Sequence, residues 1–199
     1  MKKSQRKIVV LASLVGVLTL TSALLLALSP PPISGESAIN NLWAVDASDA
    51  TGPGLADAVF TTHVPAREGH WKYIYVHQSN TPSGTAGQLA REHFLIGNGA
   101  GFADGQIQIG QRWNNQTAAA TPPGVQSIDP DCITICLIGD FDTTVPTTAQ
   151  IRRVTQLITT LQGQLGIGAD KVYLMDDAPG AAGVGRHFPL ATIRQQILP

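Results

Sequence analysis

The chain has 199 residues, only 14% of them charged, with a formal net charge of −1 and a pI near 6.5. This balance excludes a nucleic-acid binder, which would carry a clustered basic face. Behind a distinct first thirty residues there is room for one globular domain of about 150 residues, enough to bury a core without staples.

Lys2, Lys3, Arg6 and Lys7 precede Ile8 to Leu28, a run of 21 residues without a charge. About 20 apolar residues span a bilayer core, and flanking cations stay on the cytoplasmic side. A cleavable signal peptide has a shorter apolar region, about 7–15 residues, and a small-residue cleavage site; no Ala-x-Ala pattern follows here. Residues 1–28 therefore predict a single-pass anchor in the cytoplasmic (inner) membrane, with the rest of the chain outside the cytoplasm. Secretion after cleavage is the alternative. SPPPISGES, from Ser29, reads as an extended stalk. Residues 36 to 68 mix Ala, Asp, Gly and Thr with little periodicity, so 29–69 is expected to be a stalk and a loosely packed extension. The domain proper is expected over 70–199.

WKYIYVH (71–77), rich in aromatic and β-branched residues, predicts a buried strand. HFLIG (93–97) and GQIQIG (105–110) flank the turn-rich NGAGFAD and predict a hairpin. A long polar loop over 112–131 leads into ITICLI (133–138), the most apolar strand and the expected sheet centre. PTTAQIRRVTQLITTLQGQLG predicts a helix. Thr147 and Gln150 fit a capping box, and Ile151, Val154, Leu157, Ile158, Leu161 and Leu165 form one apolar stripe. Gly166 is a natural stop. VYL (172–174) predicts a short strand and PLATIRQQIL a closing helix. Strands interleaved with helices give an α/β domain around a mixed sheet, with no internal repeat.

Candidate chemistry is sparse. No Gly-x-Ser-x-Gly elbow is present. The glycines of IGNGAGFADGQ lack the Lys-Ser/Thr of a phosphate loop and read as turn residues. Cys132 and Cys136 are four residues apart in one strand, about 13 Å. Bridged Cα atoms need less than about 7 Å, so both are expected to be free core residues. His77 ends a buried strand, a position that suits a rigid metal ligand but is as well filled by a hydrogen-bonded structural imidazole.

The order of WKYIYVHQS, HFLIGNGAGFADGQIQIGQRW, ITICLIGDFDTTVPTTAQ with its helix, KVYLMDD and GRHFP resembles the zinc-dependent N-acetylmuramoyl-L-alanine amidases and the related peptidoglycan recognition proteins. The resemblance covers about residues 70–198. It implies a single α/β domain with a central mixed sheet flanked by helices, preceded here by the transmembrane segment. It also implies a first zinc ligand at His77. Aligned on Tyr173, the second ligand position holds Met175; counted back from Phe188, the third holds Gly183. The family's assisting Tyr or Glu falls on Glu92 and Cys136, which leaves Glu92 as the one candidate catalytic acid. The family helix between the first strand and the His-Phe strand is trimmed, since His93 follows His77 by sixteen positions.

A catalytic zinc needs three protein ligands plus water. A thioether prefers softer metals, and glycine has no side chain to offer. Asp176, Asp177 and His187 lie near the lost positions, but with Met175 facing the site Asp176 faces away. The resemblance therefore implies a pseudoenzyme with no cofactor, zinc and hydrolysis lost, that binds peptidoglycan or a muropeptide in the remnant groove. An active amidase with a rearranged zinc site, and a domain kept only for structural or partner contacts, are the alternatives. Trp113, Arg186 and His187 are the candidate substrate contacts, with core or rim packing the competing role for Trp113 and a loop surface position that for His187. His93 is expected to be structural.

Overall fold

The computed structural model describes residues 44–45, 54–174 and 185–197, all within the compact unit 41–199. The anchor expected over 1–28 lies outside the described residues, as do Met175, Asp176, Asp177 and Gly183. Among the described residues no helix is long and apolar enough to cross a membrane.

Among the described residues twelve elements follow in order: β1 (Ala44–Val45), α1 (Leu55–Phe60), β2 (Tyr73–Gln78), α2 (Ala86–Leu89), β3 (Phe94–Ile96), β4 (Ile107–Ile109), α3 (Gln111–Asn114), β5 (Cys132–Leu137), α4 (Thr148–Leu165), a 3₁₀ turn (Ala169–Lys171), β6 (Val172–Leu174) and α5 (Leu190–Gln196). They form a six-stranded mixed sheet in the order β1-β4-β3-β5-β2-β6. β2 runs parallel to β5 and β6, and β3 is parallel to β5. The expected hairpin joins β3 and β4 antiparallel. β5 lies between β3 and β2, the internal place its apolar sequence predicts.

Period-two alternation divides the sheet chemically. Ile74, Val76, Phe94, Ile96, Ile133, Ile135, Leu137, Val172 and Leu174 belong to the main core. α4 closes that core with Val154, Leu157, Ile158 and Leu161, all fully buried, each worth roughly 1.5–3 kcal/mol in transfer free energy. Its capping box forms as expected, with Thr147 accepting from the Gln150 N–H and Gln150 accepting from the Thr147 N–H. Gly166 ends the helix in the left-handed region at φ 68°, where a Cβ would be strained.

The opposite face carries Tyr73, Tyr75 and His77 on β2, alongside Cys132, Thr134 and Cys136 on β5 in direct register. This polar and aromatic face holds the candidate site.

Two segments differ from expectation. The part of the extension after Gly54 is not loose: α1 buries Val59 completely, and the Val59 carbonyl accepts a hydrogen bond from the Trp113 indole at 2.6 Å. The polar loop after 112 begins with the short helix α3. Single-sequence periodicity cannot register a helix of four to six residues, because one turn shows no repeat. Both cysteines are free and buried, as their spacing required.

Candidate functional site

His77 sits at the penultimate position of β2, beside Cys136 of β5, and is 6% exposed. Glu92 reaches it from the segment between α2 and β3. Thr85 and Gln88 cap α2 reciprocally, and the helix closes with the Glu92 N–H on the Leu89 carbonyl. Gly110 then lies against the Glu92 carbonyl so closely that any Cβ there would collide with it. The next residue is clamped to β5: the His93 N–H donates to Thr134 Oγ1 at 3.1 Å, and the Thr134 N–H donates to His93 Nδ1 at 3.0 Å. With its backbone fixed on both sides, Glu92 turns its carboxylate inward, where it is 3% exposed.

Glu92 Oε2 lies 3.1 Å from His77 Nε2. His77 Nδ1 lies 3.1 Å from the Gln78 carbonyl oxygen. A carbonyl and a carboxylate can only accept, so each contact is a hydrogen bond when the ring nitrogen that faces it carries the proton. Burial pushes the Glu92 carboxyl up. The His77 hydrogen bond and charge and a Thr134 hydroxyl bond together outweigh it and hold the group below its ordinary value. Tyr75 stacks flat on the His77 ring at 5.5 Å and 15°.

Cys136 is the third member. One donor atom each from His77, Glu92 and Cys136 lies within 4.8 Å of the others. Its spacing read as that of a core residue, while the family resemblance set it at an assisting-group position; strand register with His77 is what brings it to the site. Burial, then the Glu92 charge, pushes its thiol well above the ordinary value, so it stays protonated and inert as a nucleophile.

His93 is a packing residue. Nδ1 accepts from Thr134, and Nε2 donates to the Thr117 carbonyl at 2.9 Å. Trp71 and Trp113 meet its ring edge-on. Burial pulls its pKa down to about 4, which fixes the neutral ring.

The candidate substrate contacts separate. Trp113 is corrected from a sugar platform to a core residue: it is 0% exposed, among Phe60, Trp71 and Phe94. Arg186 and His187 are exposed on the turn entering α5. That turn docks beside the site. The His187 N–H donates to the Phe141 carbonyl, and the Phe141 N–H donates to Gln78 Oε1 at 2.5 Å. Gln78 is the residue after His77, so the structure brings this turn to the β2 end and excludes Trp113 from it.

A zinc of the family type would take its first ligand from a ring nitrogen of His77, and Glu92 and Cys136 each place one further possible ligand atom within 4.8 Å of it and of each other. Of the residues aligned to the other two ligand positions, methionine and glycine supply a thioether and nothing.

No protein-family model and no curated protein matches the chain. Among solved structures, it is similar to the endolysin N-acetylmuramoyl-L-alanine amidase LysCS from Clostridium intestinale URNW, with 18% identity, 68% of this chain and 90% of that chain covered, and a TM-score of 0.50. LysC from the same organism, also named an N-acetylmuramoyl-L-alanine amidase, gives 18%, 68%, 91% and 0.50. Drosophila peptidoglycan recognition protein SA gives 16%, 65%, 82% and 0.45. The mixed sheet with its flanking helices is thus the amidase fold.

Proposed function

We propose that this chain is a peptidoglycan-binding domain of amidase fold that does not hydrolyse its ligand, held at the outer face of the cytoplasmic membrane by residues 1–28. The buried His77–Glu92 contact carries the reading. A hydrolytic amidase of this fold requires a metal-bound water of pKa about 7, and here the ligand imidazole is committed to a carboxylate. The fold supports the ligand class. The uncharged run from Ile8 to Leu28 supports the placement.

Binding needs only a shaped polar surface, and one is present at the carboxyl ends of the parallel strands, where open α/β sheets take their ligands. Asn80, Asn98, Asp140, Thr143 and Thr144 line a hollow of about 430 Å³ there. Asn80 holds φ 53°, a sparsely populated conformation for a residue with a side chain. Amide, carboxylate and hydroxyl groups in that hollow suit sugar hydroxyls and peptide amides.

The test uses the full chain in detergent. Metal analysis is expected to find far less than one zinc per chain, incubation with purified peptidoglycan to release no stem peptide, and sedimentation with the insoluble polymer to retain the protein. One zinc per chain with peptide release would replace this reading by an active amidase. Failure to sediment, with no zinc, would leave a domain that kept the fold for other contacts.

A further inference from the structure

A second cavity lies on the same sheet face, away from His77. It opens where β2 and β5 begin, about 13 Å along β2 from His77 by strand rise. Its volume is about 210 Å³ and its walls include Tyr73, Tyr75, Tyr173, Cys132, Ser127 and Asp129. Tyr75, which stacks on the His77 ring at its other end, is the residue the two places share.

Three features define what it takes. The first is shape. Tyr73 and Tyr173, on adjacent parallel strands, set their rings 5.9 Å apart at 35°. With Tyr75 they line the cavity with aromatic surface, which suits a molecule with a flat apolar face of its own, and about 210 Å³ is below the size of a drug-like pocket. One ring fits.

The second feature is charge. The cations nearby are matched: Lys171 pairs with Asp170 at 3.2 Å, and Lys72 pairs with Asp131. No unmatched cation is left among them to hold an anion. Lys171 Nζ also lies over the Tyr73 ring, 5.9 Å from its centroid, so that ring already has a cation against it. A neutral ligand is selected.

The third feature is the polar rim. Asp129 and Ser127 are exposed residues in the cavity wall, and Asp129 Oδ1 accepts from the Asp131 N–H. A carboxylate and a hydroxyl next to an aromatic floor match a ring whose faces are C–H and whose edge is O–H. Val125 and Ile128 complete the wall with apolar surface for a methyl group. Burial holds the Cys132 thiol up at about 12, so it is a neutral wall and the binding is non-covalent.

We infer that this cavity is a glycan subsite, binding the pyranose ring of one N-acetylhexosamine by stacking on Tyr73 and Tyr173 with its hydroxyls on Asp129 and Ser127. It rests on the proposed peptidoglycan reading for the choice of sugar. The site is separate from the His77 end, so the two together would hold a glycan strand at two points.

The experiment measures binding of free N-acetylglucosamine to the full chain in detergent by saturation-transfer NMR and calorimetry, beside sedimentation with insoluble peptidoglycan. Tyr73→Ala and Tyr173→Ala are both at half-buried positions, and unchanged far-UV dichroism checks their fold. Each is expected to weaken the monosaccharide at least tenfold, while Tyr73→Phe and Tyr173→Phe stay within about threefold. Sedimentation with no monosaccharide binding, or with binding indifferent to the alanine changes, overturns the subsite and leaves the peptidoglycan reading standing. Tyrosine-dependent sugar binding without sedimentation keeps the subsite and overturns that reading. Tetramethylammonium binding in place of the sugar also overturns the subsite.

Discussion

Glu92 and His77 are each buried, and each is tolerable only because of the other. Removing one partner of a buried ion pair leaves an uncompensated charge, a loss of about 3–5 kcal/mol. Glu92→Ala is therefore expected to destabilise the domain by roughly that amount in urea denaturation. The double variant His77→Ala/Glu92→Ala leaves no unpaired charge, and its loss should fall short of the sum of the single losses by about 2 kcal/mol. Additive losses would mean that the two side chains do not bond. Gly185 makes a separate prediction. A Cβ there would collide with the Phe141 backbone, so Gly185→Ala should undock the turn that carries Arg186 and His187. The expected signature is loss of peptidoglycan retention, with the urea midpoint lowered by a core-sized amount of about 2 kcal/mol.

Elements with several turns of periodic pattern were legible. The α4 stripe, its Thr147–Gln150 box and its Gly166 stop all stand in the structure as the residues predict. The cap is open to measurement: Thr147→Ala should cost about 1 kcal/mol, and the accompanying loss of the Thr147 bond to Asp104 at 2.5 Å adds a loop contact to that figure. A loss below a few tenths would mean that the box contributes nothing in this context. β2, β5 and the β3–β4 hairpin were legible for the same reason, through alternation and turn chemistry. α1 and α3 were not, because four or six residues give no period, and Val59 with Trp113 is a contact made across 54 positions. The site divides the same way. His77 was visible as a polar residue closing an apolar strand. The inward aim of Glu92 was not, because it depends on Gly110 and Thr134, which are distant in sequence and adjacent only once the sheet is paired. Of the two roles open to Trp113 the core one holds, and α1, which the pattern did not show, supplies its hydrogen-bond acceptor.

At the scale of the whole molecule, His93 ties these parts together. It links β3 to Thr134 of β5 and to the loop at Thr117, and it fills the space between Trp71 and Trp113. The charged groups that act on it are Glu92, which favours its protonation, and Arg112 and His70, which oppose it; burial dominates all three and lowers its value from 6.5 to about 4. The fold therefore prefers the neutral ring, and the unfolded chain takes up a proton first as the pH falls. The stability this residue supports is complete above pH 6.5 and is lost progressively as the pH falls through 6.5 toward 4, with no further loss from this group below that. At about 1.36 kcal/mol per unit, the loss at pH 5 is about 2 kcal/mol relative to pH 7.5. Glu92 acts in a lower window, because a carboxyl held below 4.5 keeps its contribution until the pH falls below that value. Urea titrations at pH 7.5, 6 and 5 should thus show falling midpoints at constant m-value. The slope should approach one proton per chain before any carboxylate titrates. A stability that stays flat down to pH 5 would mean that His93 is solvated, and with it that the Trp71–Trp113 layer does not close over the sheet.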